Sequence, residues 1–112
     1  MSYTRIVTFD NQKVLAFGSI GVNYAVVDSE FFHPTRLLIV QNLTDALLQF
    51  STNGVDDKFP LPANGQIVLD FSANKVGNVS WFLPAKSSIY VKRIGTPTTG
   101  SVYITAVHGT TD

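Results

Sequence analysis

The chain has 112 residues, 45% of them hydrophobic and only 14% charged, with eight basic residues against eight acidic ones and no cysteine. That length suits one domain able to bury a core, and the apolar content excludes disorder. Without cysteine there are no disulfides or thiolate metal ligands, and without net charge there is no field to draw phosphates or anionic lipid, so neither nucleic acid nor membrane is an expected partner.

The first thirteen residues carry Tyr3, Ile6 and Phe9 among polar groups and end in the turn-like Asp10-Asn11-Gln12-Lys13, which reads as an N-terminal arm or edge strand over 1–13. The remainder, 14–112, reads as one domain. Val14-Leu15-Ala16-Phe17 is a short strand stopped at Gly18-Ser19-Ile20-Gly21, and Val22 to Val27 is another before Asp28-Ser29-Glu30. Phe31-Phe32-His33-Pro34 is a loop, because Pro34 has no amide hydrogen and forces its predecessor into extended geometry.

A strong strand begins at Arg36 and runs through Leu37-Leu38-Ile39-Val40-Gln41-Asn42-Leu43, turning at Asn42 to Asp45 into Leu47 to Thr52. Asn53-Gly54 is a turn pair that tolerates positive φ, an edge strand fits around Lys58-Phe59, and Pro60 to Gly65 carries a second Asn-Gly turn. In Gln66 to Phe71 alternation places Ile67, Leu69 and Phe71 inward and Gln66, Val68 and Asp70 outward. Ser72 to Gly77 reads as a loop, Ser80 to Leu83 as a strand, and Ser88 to Ile94 with Ser101 to Val107 as a hairpin around Gly95-Thr96-Pro97-Thr98-Thr99-Gly100. The sum is all-β: a single antiparallel β-sandwich or jelly roll of about eight strands, with no internal repeat.

Constellations that carry chemistry are sparse. His33 and His108 stand far apart in sequence with no other His or Cys near either, so spacing offers no metal site, and no cofactor is expected. Asp56-Asp57 beside Asn53 lacks the run and distal Glu of a calcium loop. Glu30 is the single glutamate, the aspartates fall mostly in turns, and neither a Gly-x-Ser-x-Gly elbow nor a Gly-rich phosphate loop is present, so no catalytic residue is assigned and no enzyme is expected. Lys92-Arg93 with Tyr90, Tyr103 and Trp81 has the ingredients of a single-strand stacking platform, but Trp81 beside Phe82 and Leu83 suits a core better. Tyr24, Tyr90 and Tyr103 could line a carbohydrate groove or serve equally well as cross-strand fillers.

The unusual feature is apolarity on both faces of a strand. Leu37, Ile39 and Leu43 lie on one face and Leu38 and Val40 on the other, while Val102, Ile104 and Ala106 are opposed by Tyr103 and Val107. A small sandwich has one interior, so one face must be covered by the chain's own arm or by another subunit. Tyr3, Ile6, Phe9, Leu38, Val40, Tyr103 and Val107 are therefore the candidate interface residues.

Gln41-Asn42-Leu43-Thr44-Asp45-Ala46, Phe50 to Asp57, Phe59-Pro60-Leu61-Pro62-Ala63, Val68-Leu69-Asp70-Phe71, Ile89-Tyr90-Val91-Lys92 and Gly100-Ser101-Val102-Tyr103 together resemble small virion proteins of tailed bacteriophages, over roughly residues 25–107. The resemblance implies a jelly roll without chemistry. By size and fold it points to the capsid decoration, or cement, proteins, which bind and stabilise neighbouring major capsid subunits. It further implies a homo-oligomer on the particle and a virion location after assembly in host cytoplasm; a neck or tail adaptor or fibre-attachment component is the alternative, and a carbohydrate-binding jelly roll a remoter one. The opening sequence carries no apolar run of signal-peptide length, in keeping with that expectation.

Overall fold

The computed structural model describes residues 6–33, 35–70, 75–76, 79–80 and 86–110. Two antiparallel sheets face one another as a sandwich. The first contains β1 (Ile6–Phe9), β2 (Lys13–Ala16), β4 (Thr35–Asn42), β7 (Gly65–Asp70) and β11 (Ser101–Thr110); the second contains β3 (Ala25–Val26), β5 (Leu48–Ser51), β6 (Phe59–Leu61) and β10 (Tyr90–Arg93). β8 (Lys75–Val76), within the expected loop 72–77, pairs with β9 (Val79–Ser80), which ends at the first residue of the strand expected over 80–83, as a two-stranded ribbon. No α-helix occurs among the described residues, and Phe17–Ser19 is a single 3-10 turn at the expected glycine stop.

The long β11 organises the first sheet. β4 runs along one of its sides, while β1 and β2 share the other, β1 pairing with residues 107–110 and β2 with residues 101–104. Registered rows follow: Ala106, Leu38 and Leu69; Ile104, Val40 and Ile67; Val102, Asn42 and Gly65. The apolar side chains of these rows face the core and pack with Phe50, Leu48, Val91 and Ile89, and with Val27 and Phe31. Each such large apolar group contributes about 1.5–3 kcal/mol relative to exposure.

This register corrects the reading of Leu38 and Val40. They are 1% and 0% exposed and belong to the interior of their own sandwich, so they offer nothing to a partner. The outward members of β4 are Leu37 and Ile39, both half-buried. Alternation alone divides the strand into two faces but does not say which one meets the second sheet.

β10 and β11 are not a hairpin; they belong to different sheets. The loop between them crosses the sandwich beside the β4–β5 turn, which makes the same crossing. Its hydrogen bonds go to that turn: Ile94 N and Gly95 N donate to Leu47 O at 3.1 and 3.0 Å, and Leu43 N donates to Ser101 O at 3.0 Å. The expected Val22–Val27 strand is reduced to Ala25–Val26. Pro60 lies within β6, where it is tolerated because β6 is an edge strand.

The turn expectations hold at both Asn-Gly pairs. Gly54 takes φ +76°, and Gly65 N closes a turn onto Pro62 O at 2.9 Å with Asn64 at φ 60°. Asn42, wholly buried, ties the β4–β5 turn to β6. Its Nδ2 donates to Ala46 O, Leu61 O and Pro62 O at 2.9, 3.0 and 3.0 Å, and its Oδ1 accepts from Thr44 N and Thr44 Oγ1 at 3.0 and 2.6 Å.

Candidate functional site

Two regions of the first sheet stand out. One is its outer face, away from the core. Cross-strand partners share a face, so Phe9, Val107 and Leu37 form one row ending at Asp70, Thr105, Ile39 and Val68 a second, and Val14, Tyr103, Gln41 and Gln66 a third. Phe9 is 67% exposed and Val68 52%, and Val14 is also exposed. Gln41 Nε2 donates to Gln66 Oε1 at 3.2 Å at the polar end of the face. The face is thus an apolar strip across four strands, with amide groups bordering it.

Of the residues expected at an interface, Phe9, Tyr103 and Val107 come together here. Val107 is already buried within the chain, and Leu38 and Val40 are replaced by Leu37, Ile39 and Val68. Ile6 pairs its backbone with Thr110 in β1, and Tyr3 lies outside the described residues, as does Trp81. Residues 6–9 of the expected arm form an edge strand on β11.

The second region is a polar cluster where β1 ends. Asp10 follows β1 directly, and its amide donates to Ala106 O at 2.9 Å, continuing the ladder. His108 lies opposite Thr8 on one side and Thr35 on the other. The β11–β4 register slips between Val107 and His108, because Arg36 is an extra residue on β4. Such a bulge reverses the inward parity of the strand, and Thr35, rather than Arg36, is the fully buried residue. His33, two residues before Thr35, thereby reaches His108. Its own segment is anchored by Phe31, whose amide donates to Ser87 O at 2.8 Å and whose carbonyl accepts from Lys86 N at 2.7 Å.

The result is a stacked pair of imidazoles, His33 over His108, with ring centroids 4.0 Å apart and planes inclined by 16°. His108 Nδ1 is 2.8 Å from Asp10 Oδ1. The approach is close enough for an ion pair if the ring is protonated, but Nδ1 is not aligned to make a hydrogen bond, although His108 is only 4% exposed. Asp10 and His33 also line a cleft of about 270 Å³ that continues past Lys13, Asp28 and Phe32. No spacing along the chain signals this cluster, since its members come from three segments brought together by the central position of β11.

The remaining candidates are accounted for by structure. Asn53 Oδ1 accepts from the amides of Val55 and Asp56, both at 2.9 Å, so the acidic hairpin tip is an Asx turn. Asp57 accepts a hydrogen bond from Tyr24 Oη at 2.6 Å and lies 3.1 Å from Lys92 Nζ, which is also 4.8 Å from the Tyr24 ring centroid. Desolvation, followed by the Asp57 hydrogen bond, pushes the Tyr24 hydroxyl up to about 12. Tyr90 packs under Gly54, with ring atoms 3.2–3.4 Å from where a Cβ would stand. Tyr24 and Tyr90 are therefore engaged locally, and Tyr103 lies on the outer face of the other sheet.

No protein-family model matches the chain, and no curated protein is similar to it. Among solved structures, the chain is similar to a protein of the disulfide-linked pili of Bacillus endospore appendages, at 12% identity over 94% of this chain and 88% of that one, with a TM-score of 0.40. It is also similar to the cupin domain of Schizosaccharomyces pombe Cnp3, at 12% identity over 94% of this chain and 64% of that one, with a TM-score of 0.31. At these values neither likeness bears on function.

Proposed function

We propose that the protein is a non-enzymatic structural component of a bacteriophage virion, a capsid decoration protein that binds neighbouring major capsid subunits through the outer face of its first sheet. The observation that carries this reading is the apolar strip across four strands, with Phe9 and Val68 exposed at its two ends and Leu37 and Ile39 half-buried between them. A sandwich this poor in charge gains by covering such a strip, at about 25 cal/mol per Å² of apolar surface removed from water. The resemblance of residues 25–107 to small phage virion proteins supplies the partner. Multivalent attachment around a shell then stabilises it by mass action, without chemistry.

Quantitative mass spectrometry of purified particles tests the reading. A copy number in simple proportion to the major capsid protein supports decoration. A copy number fixed at a few per particle moves the protein to the neck or tail, and absence from particles overturns a virion role. On purified shells, Val68→Asp should abolish binding while leaving the chain folded; undiminished binding would remove the outer face as the contact.

A further inference from the structure

We infer that Asp10, His33 and His108 form a binding site for one divalent transition-metal ion of the zinc type. The inference is independent of the virion reading. Their ligand atoms, one per residue, all lie within 4.8 Å of one another. A tetrahedral ion with bonds of about 2.0–2.1 Å holds its ligands roughly 3.3 Å apart. Asp10 and His108, now 2.8 Å apart, must open by about 0.5 Å, and His33, which is exposed, must swing out of its stack on His108 to reach the same ion.

Three observations favour a ligand set over a simple buried pair. First, His108 Nδ1 is buried without an aligned hydrogen bond and stands 2.8 Å from the Asp10 carboxylate, a nitrogen and an oxygen that one ion would bridge. Second, two imidazoles, the usual nitrogen ligands of zinc and its neighbours, stand beside one carboxylate; because the in-plane lone pairs of stacked rings run parallel, His33 must leave the stack to share an ion with His108. Third, Asp10 and His33 open onto the cleft, which gives an ion a path and leaves a fourth position for water. The donor set is two nitrogens and one oxygen, so calcium and magnesium, which want oxygen cages, are poor occupants.

The placement gives the ion a definite effect. The ligands come from the end of β1, from the loop before β4 and from β11. An ion there fastens the N-terminal edge strand, with Phe9, to the centre of the sheet. Binding energy of this kind is folding energy for the segments it joins.

The test is calorimetric titration of the full chain, stripped of metal by chelator, with zinc chloride, and with cobalt(II) as a spectroscopic probe. The expected result is one ion per chain, cobalt bands typical of low coordination number, and a melting temperature that rises with zinc but not with calcium. His33→Ala, at an exposed position, and Asp10→Asn should each weaken zinc binding by more than about 100-fold, since even outer-shell partners of metal ligands are worth 10–100-fold; circular dichroism verifies that both remain folded. No zinc binding up to about 1 mM, an equal response to calcium, or unchanged zinc affinity in both variants would each overturn the site.

Discussion

Thr98 donates both its amide and its hydroxyl to the carboxylate of Asp45, the amide reaching Oδ1 at 2.7 Å. The two residues belong to the two neighbouring loops that cross between the sheets, and this contact joins them. The Thr98 hydroxyl bond, followed by the amide bond, holds the Asp45 carboxyl below its usual 3.8. A carboxylate with a depressed native pKa contributes stability that is complete above its unfolded value and is lost as pH falls through the native one. Asp45→Asn should therefore lower the melting temperature at neutral pH. The gap between variant and wild type should narrow as pH falls below about 4, and a gap that persists unchanged to pH 2 would show that charge has no part in the contact.

Asn42 is the polar centre of the core. Replacing it with Ala takes the acceptor from the Thr44 amide and hydroxyl and a donor from three carbonyls, of which Pro62 O keeps the Gly65 amide and Ala46 O the Thr44 hydroxyl; each buried group left without a partner costs about 1–3 kcal/mol. Asn42→Ala should lose about 3 kcal/mol or more in urea unfolding, allowing some partners to relax onto water. Thr44→Val, which removes one hydroxyl, should lose about 1 kcal/mol.

Gly100 shows a backbone requirement. Its φ is +91°, and a Cβ there would meet Leu43 O at 2.0 Å, in the strand-crossing region where Leu43 N bonds to Ser101 O. Gly100→Ala combines a left-handed backbone cost of about 1–3 kcal/mol with a clash against main chain, so the variant should be recovered poorly folded. Gly18→Ala is the control, since nothing lies within 4 Å of its Cβ position; it should fold normally.

The assignment of β4's two faces is itself testable. Leu38→Ala should cost about 3 kcal/mol, as large-to-small changes in a core do. Val68→Asp, on an exposed outer position of β7, should change stability by less than about 1 kcal/mol. If the two effects were reversed in denaturant unfolding, the sheet would be facing the other way.

Much of the fold was legible. The alternation of Ile67 and Leu69 against Gln66 and Val68, the Asn53-Gly54 and Asn64-Gly65 turns and the edge character of the strand at Phe59 are all local, because side-chain period and turn chemistry act over a few residues. The pairing of Tyr90–Arg93 with Leu48–Ser51, instead of with the next strand, was not, because a loop that turns back and a loop that crosses the sandwich look alike in composition.

By itself, then, the sequence determined an antiparallel β-sandwich with an apolar residue on both faces of its central strand. Only the tertiary structure decided that Leu38 and Val40 face inward and that Phe9, Leu37 and Ile39 share the outer face with Val68. It also placed His33 and His108 against Asp10, residues whose separation along the chain conceals their meeting. The physical reason is common to both: periodicity fixes which side chains share a face, but which face is buried, and which distant segments meet, depends on the register of β11 with β1 and β4 and on the one-residue bulge at Arg36.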